Sequence, residues 1–189
     1  MLIVDSHLDL AYNAIEFNRD LRQPVPNIRA QEAGMPGKGR GANTVSLAAL
    51  REGNIGLCFA TTHCRVESLQ GKFPGVRTQD IAYAKAQGEV SYYEALQQQG
   101  LLRRIDNAAA LDAHLQDWNE HPQDTPLGYV LSMEGADPVL APEQLSQWWD
   151  QGLRTLSLVH YGVSTYAHGT QAPGGLLPAA TPLLQEMER

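Results

Sequence analysis

Four short apolar runs separated by segments of helical character constrain this chain more than any other feature. They are LIVD at 2–5, IGLCFATT at 55–62, LGYVLSME at 127–134 and LRTLSLVH at 153–160. Each has the length and the β-branched or apolar content of a buried strand. Between them, TVSLAALREG at 44–53, the stretch 78–100, NAAALDAHLQDWNEH at 107–121 and PEQLSQWWDQG at 142–152 read as helices. Their punctuation agrees: Thr78 and Asn107 stand as N-caps, Pro142 in a first turn, and Gly53, Gly100 and Gly152 just past helix ends. Alternating strands and helices make βαβ units, hence a parallel sheet with right-handed crossovers.

The expected fold class is α/β. An open doubly wound sheet would carry a glycine-rich phosphate fingerprint after its first strand, and VDSHLDLA has none. The alternative is a (β/α) barrel of TIM type, for which four βα units are half of a typical barrel of roughly 250 residues. LLPAATPLLQEMER at 176–189 reads as the fourth helix. The expectation is therefore one domain over residues 1–189, the first four units of an incomplete (β/α)8 barrel. Residues 18–43, rich in Pro, Gly and Arg without a clean period, read as a long loop.

A net charge of -7 disfavours nucleic acid as a partner. The two cysteines, Cys58 and Cys64, fit neither a disulfide framework nor a zinc ribbon and read as buried or half-buried side chains. MLIVDSHLDL lacks the features of a secretory signal, and no run has the length of a membrane span, so no membrane association and a cytoplasmic location are expected.

His7 and Asp9 lie two residues apart at the end of the first strand, so both side chains fall on one side. An imidazole and a carboxylate can share a divalent metal, with zinc distances of roughly 2.0 to 2.2 Å. The same residues would also serve if His7 ended the strand and Asp9 N-capped the helix after it. Glu134 ends the third apolar run, where an unpaired carboxylate costs burial free energy and a metal-bound one does not. It could instead be a loop glutamate before a Gly-Ala-Asp turn. His160 ends the fourth run, and YGVSTYAHGT after it, beginning at Tyr161, could line a small-molecule pocket. His63 is a weaker candidate of the same kind and His168 weaker still, while His114 and His121 read as solvated helix positions.

In order along the chain, VDSHLDLAYN resembles the His-x-Asp opening of membrane (renal) dipeptidases, SMEGAD their Glu-Gly segment, and LRTLSLVHYG their strand ending in His. Asp9 separates this pattern from the His-x-His opening of related amidohydrolase barrels. The resemblance implies a zinc-dependent dipeptidase with two zinc ions. His7 and Asp9 would bind one, Glu134 would bridge both and act in catalysis, and His160 would contact the substrate beside Tyr161. It also implies two further histidine ligands, an arginine for the substrate carboxylate and an aspartate for the proton, all from later strands that these residues do not include. Two other readings follow: another amidohydrolase-type amide or ester hydrolase, or a half-barrel inactive without its C-terminal half. The latter's open edges would favour a homodimer or the missing half as partner.

Overall fold

The computed structural model describes residues 1–67 and 73–189. In chain order the elements are β1 (Ile3–Leu8), α1 (Leu10–Glu16), α2 (Val25–Gln31), α3 (Leu47–Glu52), β2 (Ile55–Thr62) and α4 (Gln79–Gln98). They continue with β3 (Leu102–Arg104), α5 (Ala108–Glu120), β4 (Leu127–Glu134), α6 (Leu145–Asp150), β5 (Leu153–Ser157) and α7 (Ala180–Met187). Pro142–Gln144 adds a 3-10 turn ahead of α6. The strand pairings β1–β2, β3–β4 and β4–β5 are all parallel, so the class is α/β. The described residues hold five strands rather than the expected four, because β3 lies unrecognised in the sequence LLRRID. The chain forms two compact units, Met1–Thr61 with Tyr93–Val130, and Thr62–Tyr92 with Leu131–Arg189.

In the first unit, β1 pairs with β2 and β3 with the first half of β4. Leu57, Ala60, Leu102, Leu127 and Tyr129 form the strand side of its core, and Leu10, Leu50 and Trp118 come from helices. Burial of this apolar surface supplies the main driving force, on the order of 25 cal/mol per Å². Ser46 caps α3 by accepting from the Ala49 N–H at 3.2 Å, and Asn107 caps α5 through Ala110 at 2.9 Å. The 55–62 run is largely buried as expected, with Ile55 and Phe59 half-buried, whereas Ile3 and Val4 of β1 are 44% and 49% exposed. The first apolar run is thus a strand, but not a buried one.

Residues 18–43 are not one long loop, since they contain α2. Pro24 and Pro26 flank its first position, where a missing N–H costs nothing. His114 is a second correction, being fully buried rather than solvated. Its Nε2 stands 2.8 Å from the Gly56 carbonyl, and a methyl group on Gly128 would stand 2.6 Å from that same nitrogen. Burial, the largest influence, pushes the His114 pKa down. Because its folded pKa lies below the unfolded one, the stability it contributes is complete above about pH 6.5 and declines as the pH falls below that value. Gly128→Ala should destabilise by about 1–3 kcal/mol through overpacking, read from urea unfolding at pH 7. An unchanged midpoint would mean that the imidazole can move aside. His121, in contrast, is exposed.

In the second unit, the latter half of β4 pairs with β5 in the register Met133↔Leu156 and Glu134↔Ser157. Leu131, Met133, Val139, Trp148, Leu183 and Ala86 are buried in its core. Thr78 caps α4 through the Ile81 N–H at 3.4 Å. Asp137, 1% exposed, accepts from the Val66 and Thr165 N–H groups at 2.9 and 3.0 Å and so ties two loops to the end of β4. Cys58 and Cys64 are both buried and unpaired with one another, and burial pushes the Cys58 thiol up to about 12. Among the described residues, no helix is long and apolar enough to cross a membrane.

Candidate metal centre

His7 lies near the end of β1 and Asp9 immediately after it, with His7 Nε2 and Asp9 Oδ1 3.4 Å apart. The β1–β2 register shifts between Asp5 and Leu8, where three steps on β1 match two on β2. Such bulges re-aim side chains at strand ends. The His7 N–H donates to Asp5 Oδ1 at 3.0 Å, which holds the main chain at this irregularity. Asp9 precedes α1, yet its side chain makes no capping hydrogen bond. Instead Oδ1 accepts from the hydroxyl of Thr61, a fully buried residue of β2. Helix capping therefore does not account for Asp9. The two side chains are partly exposed, at 49% and 33%.

The second unit carries a cluster of three side chains. Glu134 is the last residue of β4, and the following Gly135 takes φ of 89°, a conformation that favours glycine and turns the chain sharply away. Gly135 N–H donates to the Ser157 hydroxyl at 3.0 Å, fixing the strand end. Glu134 Oε2 lies 2.9 Å from His63 Nδ1, and Oε1 lies 3.3 Å from His160 Nε2. The two imidazoles meet edge to face, with centroids 5.1 Å apart and planes at 85°. One ligand atom from each of the three residues lies within 4.8 Å of the others. Two imidazoles and one carboxylate are donor types that a divalent ion of the zinc type takes.

His63 directly follows β2, and its N–H donates to Glu89 Oε2 at 2.6 Å. Glu89 itself is only 2% exposed on α4. His160 stands beyond the end of β5, which stops at Ser157, so the fourth apolar run does not continue as strand to its histidine. A short ladder places it instead: Thr170 N–H donates to the His160 carbonyl at 3.0 Å, and Gly162 N–H to the Thr170 carbonyl at 2.9 Å. The Tyr161 ring meets His160 edge to face, with centroids 4.5 Å apart, and Phe73 at a tilt, with centroids 5.4 Å apart. His168 is outside the cluster, its ring packed where a Gly174 side chain would stand. A cavity of about 600 Å³ lined by Leu145, Trp149, Leu153, Leu156 and Met187, with Arg154, Glu186 and Arg189 among its polar lining, contains none of these residues.

Sequence reasoning ranked His63 low and did not single out Thr61 or Glu89. Glu89 left one visible signal. It interrupts an apolar stripe at helical spacing formed by Ala82, Ala86, Val90 and Tyr93, a place where a carboxylate needs a buried partner.

A family model described as membrane dipeptidase, peptidase family M19, matches residues 1–189. This chain belongs to the membrane dipeptidase family. Among solved structures, it is similar to dipeptidase AC, a metallopeptidase of family M19, at 20% identity and a TM-score of 0.67, covering 98% of this chain and 53% of that one. It is also similar to the probable dipeptidase PvdM of Pseudomonas aeruginosa, at 14% identity and a TM-score of 0.64, covering 100% of this chain and 44% of that one. At these identities the likeness establishes a shared fold. No curated protein matches the chain. It spans about half the length of the solved structures it matches.

Proposed function

We propose that these residues belong to a zinc-dependent dipeptidase that cleaves the peptide bond of dipeptides, on a (β/α) barrel of which they form part. The observation that carries the reading is Glu134, a carboxylate at a strand end with an imidazole beside each oxygen, in a chain of the membrane dipeptidase family. Carried over residue by residue, the family pattern would have His7, Asp9 and Glu134 hold the metal. The donor types fit, since each supplies an imidazole nitrogen or a carboxylate oxygen. When bound, paired zinc ions supply a hydroxide near neutral pH and polarise a carbonyl.

The chain's own residues then have separate tasks. Asp9 is kept in place by the Thr61 hydroxyl, so its free oxygen is presented without a search among rotamers. His160, steadied by the edge of Tyr161, offers an N–H to the oxygen that gains negative charge as the carbonyl becomes tetrahedral. Tyr161 contributes a flat wall for the substrate on the same loop.

Elemental mass spectrometry after zinc loading, paired with a dipeptide assay, tests the reading. Wild-type chain should retain zinc, and His160→Ala should keep that zinc while turnover falls by about 10²–10³, the cost of one oxyanion donor. Loss of zinc in His160→Ala would show that His160 holds metal instead of substrate. The half-length coverage of the solved structures favours a second reading, in which these residues hold an incomplete metal pair and turn over substrate only together with the segments that the longer proteins have. One zinc per chain without turnover would support it.

A further inference from the structure

We propose that His63 is a positioning residue that holds the Glu134 carboxylate in its metal-binding orientation, a role that rests on reading Glu134 as a metal ligand. A free glutamate side chain must surrender rotamer freedom when it captures an ion, and a partner that fixes it beforehand removes that cost. The His63 Nδ1 lies 2.9 Å from Glu134 Oε2, at ion-pair distance, with both side chains largely enclosed at 15% and 16% exposure. His63 is itself held from two sides. Its main-chain N–H donates to the buried Glu89 carboxylate at 2.6 Å, and its ring meets the His160 ring edge to face. The line of support therefore runs from Glu89 on α4, through the residue that follows β2, to the carboxylate that ends β4.

The neighbouring His160 Nε2 lies farther from its oxygen, 3.3 Å from Oε1, and is twice as exposed, at 31% against 15%. That asymmetry divides the labour: the more enclosed imidazole orients the carboxylate, and the more open one is left accessible to substrate. With His63 Nδ1 beside Oε2 on one side, a carboxylate oxygen still has a second lone pair to offer an ion. Groups that orient metal ligands in this way are typically worth 10- to 100-fold in metal affinity.

The test compares His63→Asn, His63→Gln and Glu134→Gln with wild type in the full chain, measuring zinc affinity by chelator competition and the visible spectrum of the cobalt-loaded protein. Asparagine can place an amide N–H near the Nδ1 position, whereas glutamine places it near Nε2, and both are polar and of similar size. The expected result is a 10- to 100-fold loss of zinc affinity in His63→Gln, substantial recovery in His63→Asn, and an unchanged cobalt spectrum in both. Equal affinity in all three histidine-site forms would overturn the positioning role while leaving Glu134 a ligand if Glu134→Gln still loses zinc. Equal loss in both variants with an altered cobalt spectrum would overturn it in favour of direct ligation by His63. Wild-type affinity in Glu134→Gln would overturn the metal reading itself, and this inference with it.

Discussion

Glu134→Gln is expected to abolish dipeptide hydrolysis and to weaken zinc binding by more than about 100-fold, beyond the 10- to 100-fold that losing a supporting group costs. The substitution is nearly isosteric, so it isolates charge and lone pairs from shape. Glutamine keeps one acceptor oxygen but replaces the other with an NH₂ that cannot bind a cation. The fold should survive, because Glu134 enters the sheet through its backbone in register with Ser157, and the Gly135 N–H bond to the Ser157 hydroxyl is independent of the carboxylate. Circular dichroism should therefore match wild type while elemental analysis shows zinc lost. Full activity in this variant would remove Glu134 from the mechanism, and normal zinc content with no activity would restrict it to a role in the chemical step.

The parts of the fold and of the candidate centre that were legible in the sequence are those with a local signature. A charged residue closing an apolar run needs no distant information, which is why YVLSME singles out Glu134 as a candidate, and a short strand before a helix singles out His7 and Asp9. β3 was not legible: three residues, two of them arginine, carry no alternation, and the strand exists because Leu102 to Arg104 pair with Leu127 to Tyr129. His114 was misread for a related reason. On α5 it is surrounded in sequence by Asp112 and Asp117, but space for its ring is made by Gly128 and its partner is the Gly56 carbonyl, both far away in the chain. His63 was visible and underweighted, since its value comes from Glu89 and Glu134, each supplied by a different element. The 18–43 region misled through composition, because proline, glycine and arginine describe a loop unless a buried ion pair organises them.

That ion pair gives the largest expected effect on stability. Arg19 and Glu32 are 7% and 4% exposed, and they meet through two parallel contacts, Nε to Oε1 at 2.8 Å and Nη2 to Oε2 at 2.9 Å. Arg40 Nη1 adds a bond to Oε1 at 2.9 Å and the Gly41 N–H one to Oε2 at 2.8 Å, so the carboxylate is fully engaged. Arg19 also donates to the Gly39 carbonyl at 2.7 Å and lies over the Phe17 ring, 4.3 Å from its centroid. Glu32→Ala strands the Arg19 charge in this enclosed place and should cost about 3–5 kcal/mol, whereas replacing both partners with apolar residues should recover much of that loss. The hydrogen bonds from Arg19 are the main reason that the Glu32 pKa is lowered to about 2. For a carboxyl group with a depressed folded pKa, the contribution is complete above the ordinary carboxylate range and is lost as the pH falls from about 4.5 toward 2. Urea unfolding of wild type and Glu32→Ala should thus show a wide gap at pH 7 that narrows across that acid window. A gap below about 1 kcal/mol at pH 7 would place the pair among ion pairs of the surface kind, leaving the 18–43 segment to be held by Leu21 and Ile28 in the core.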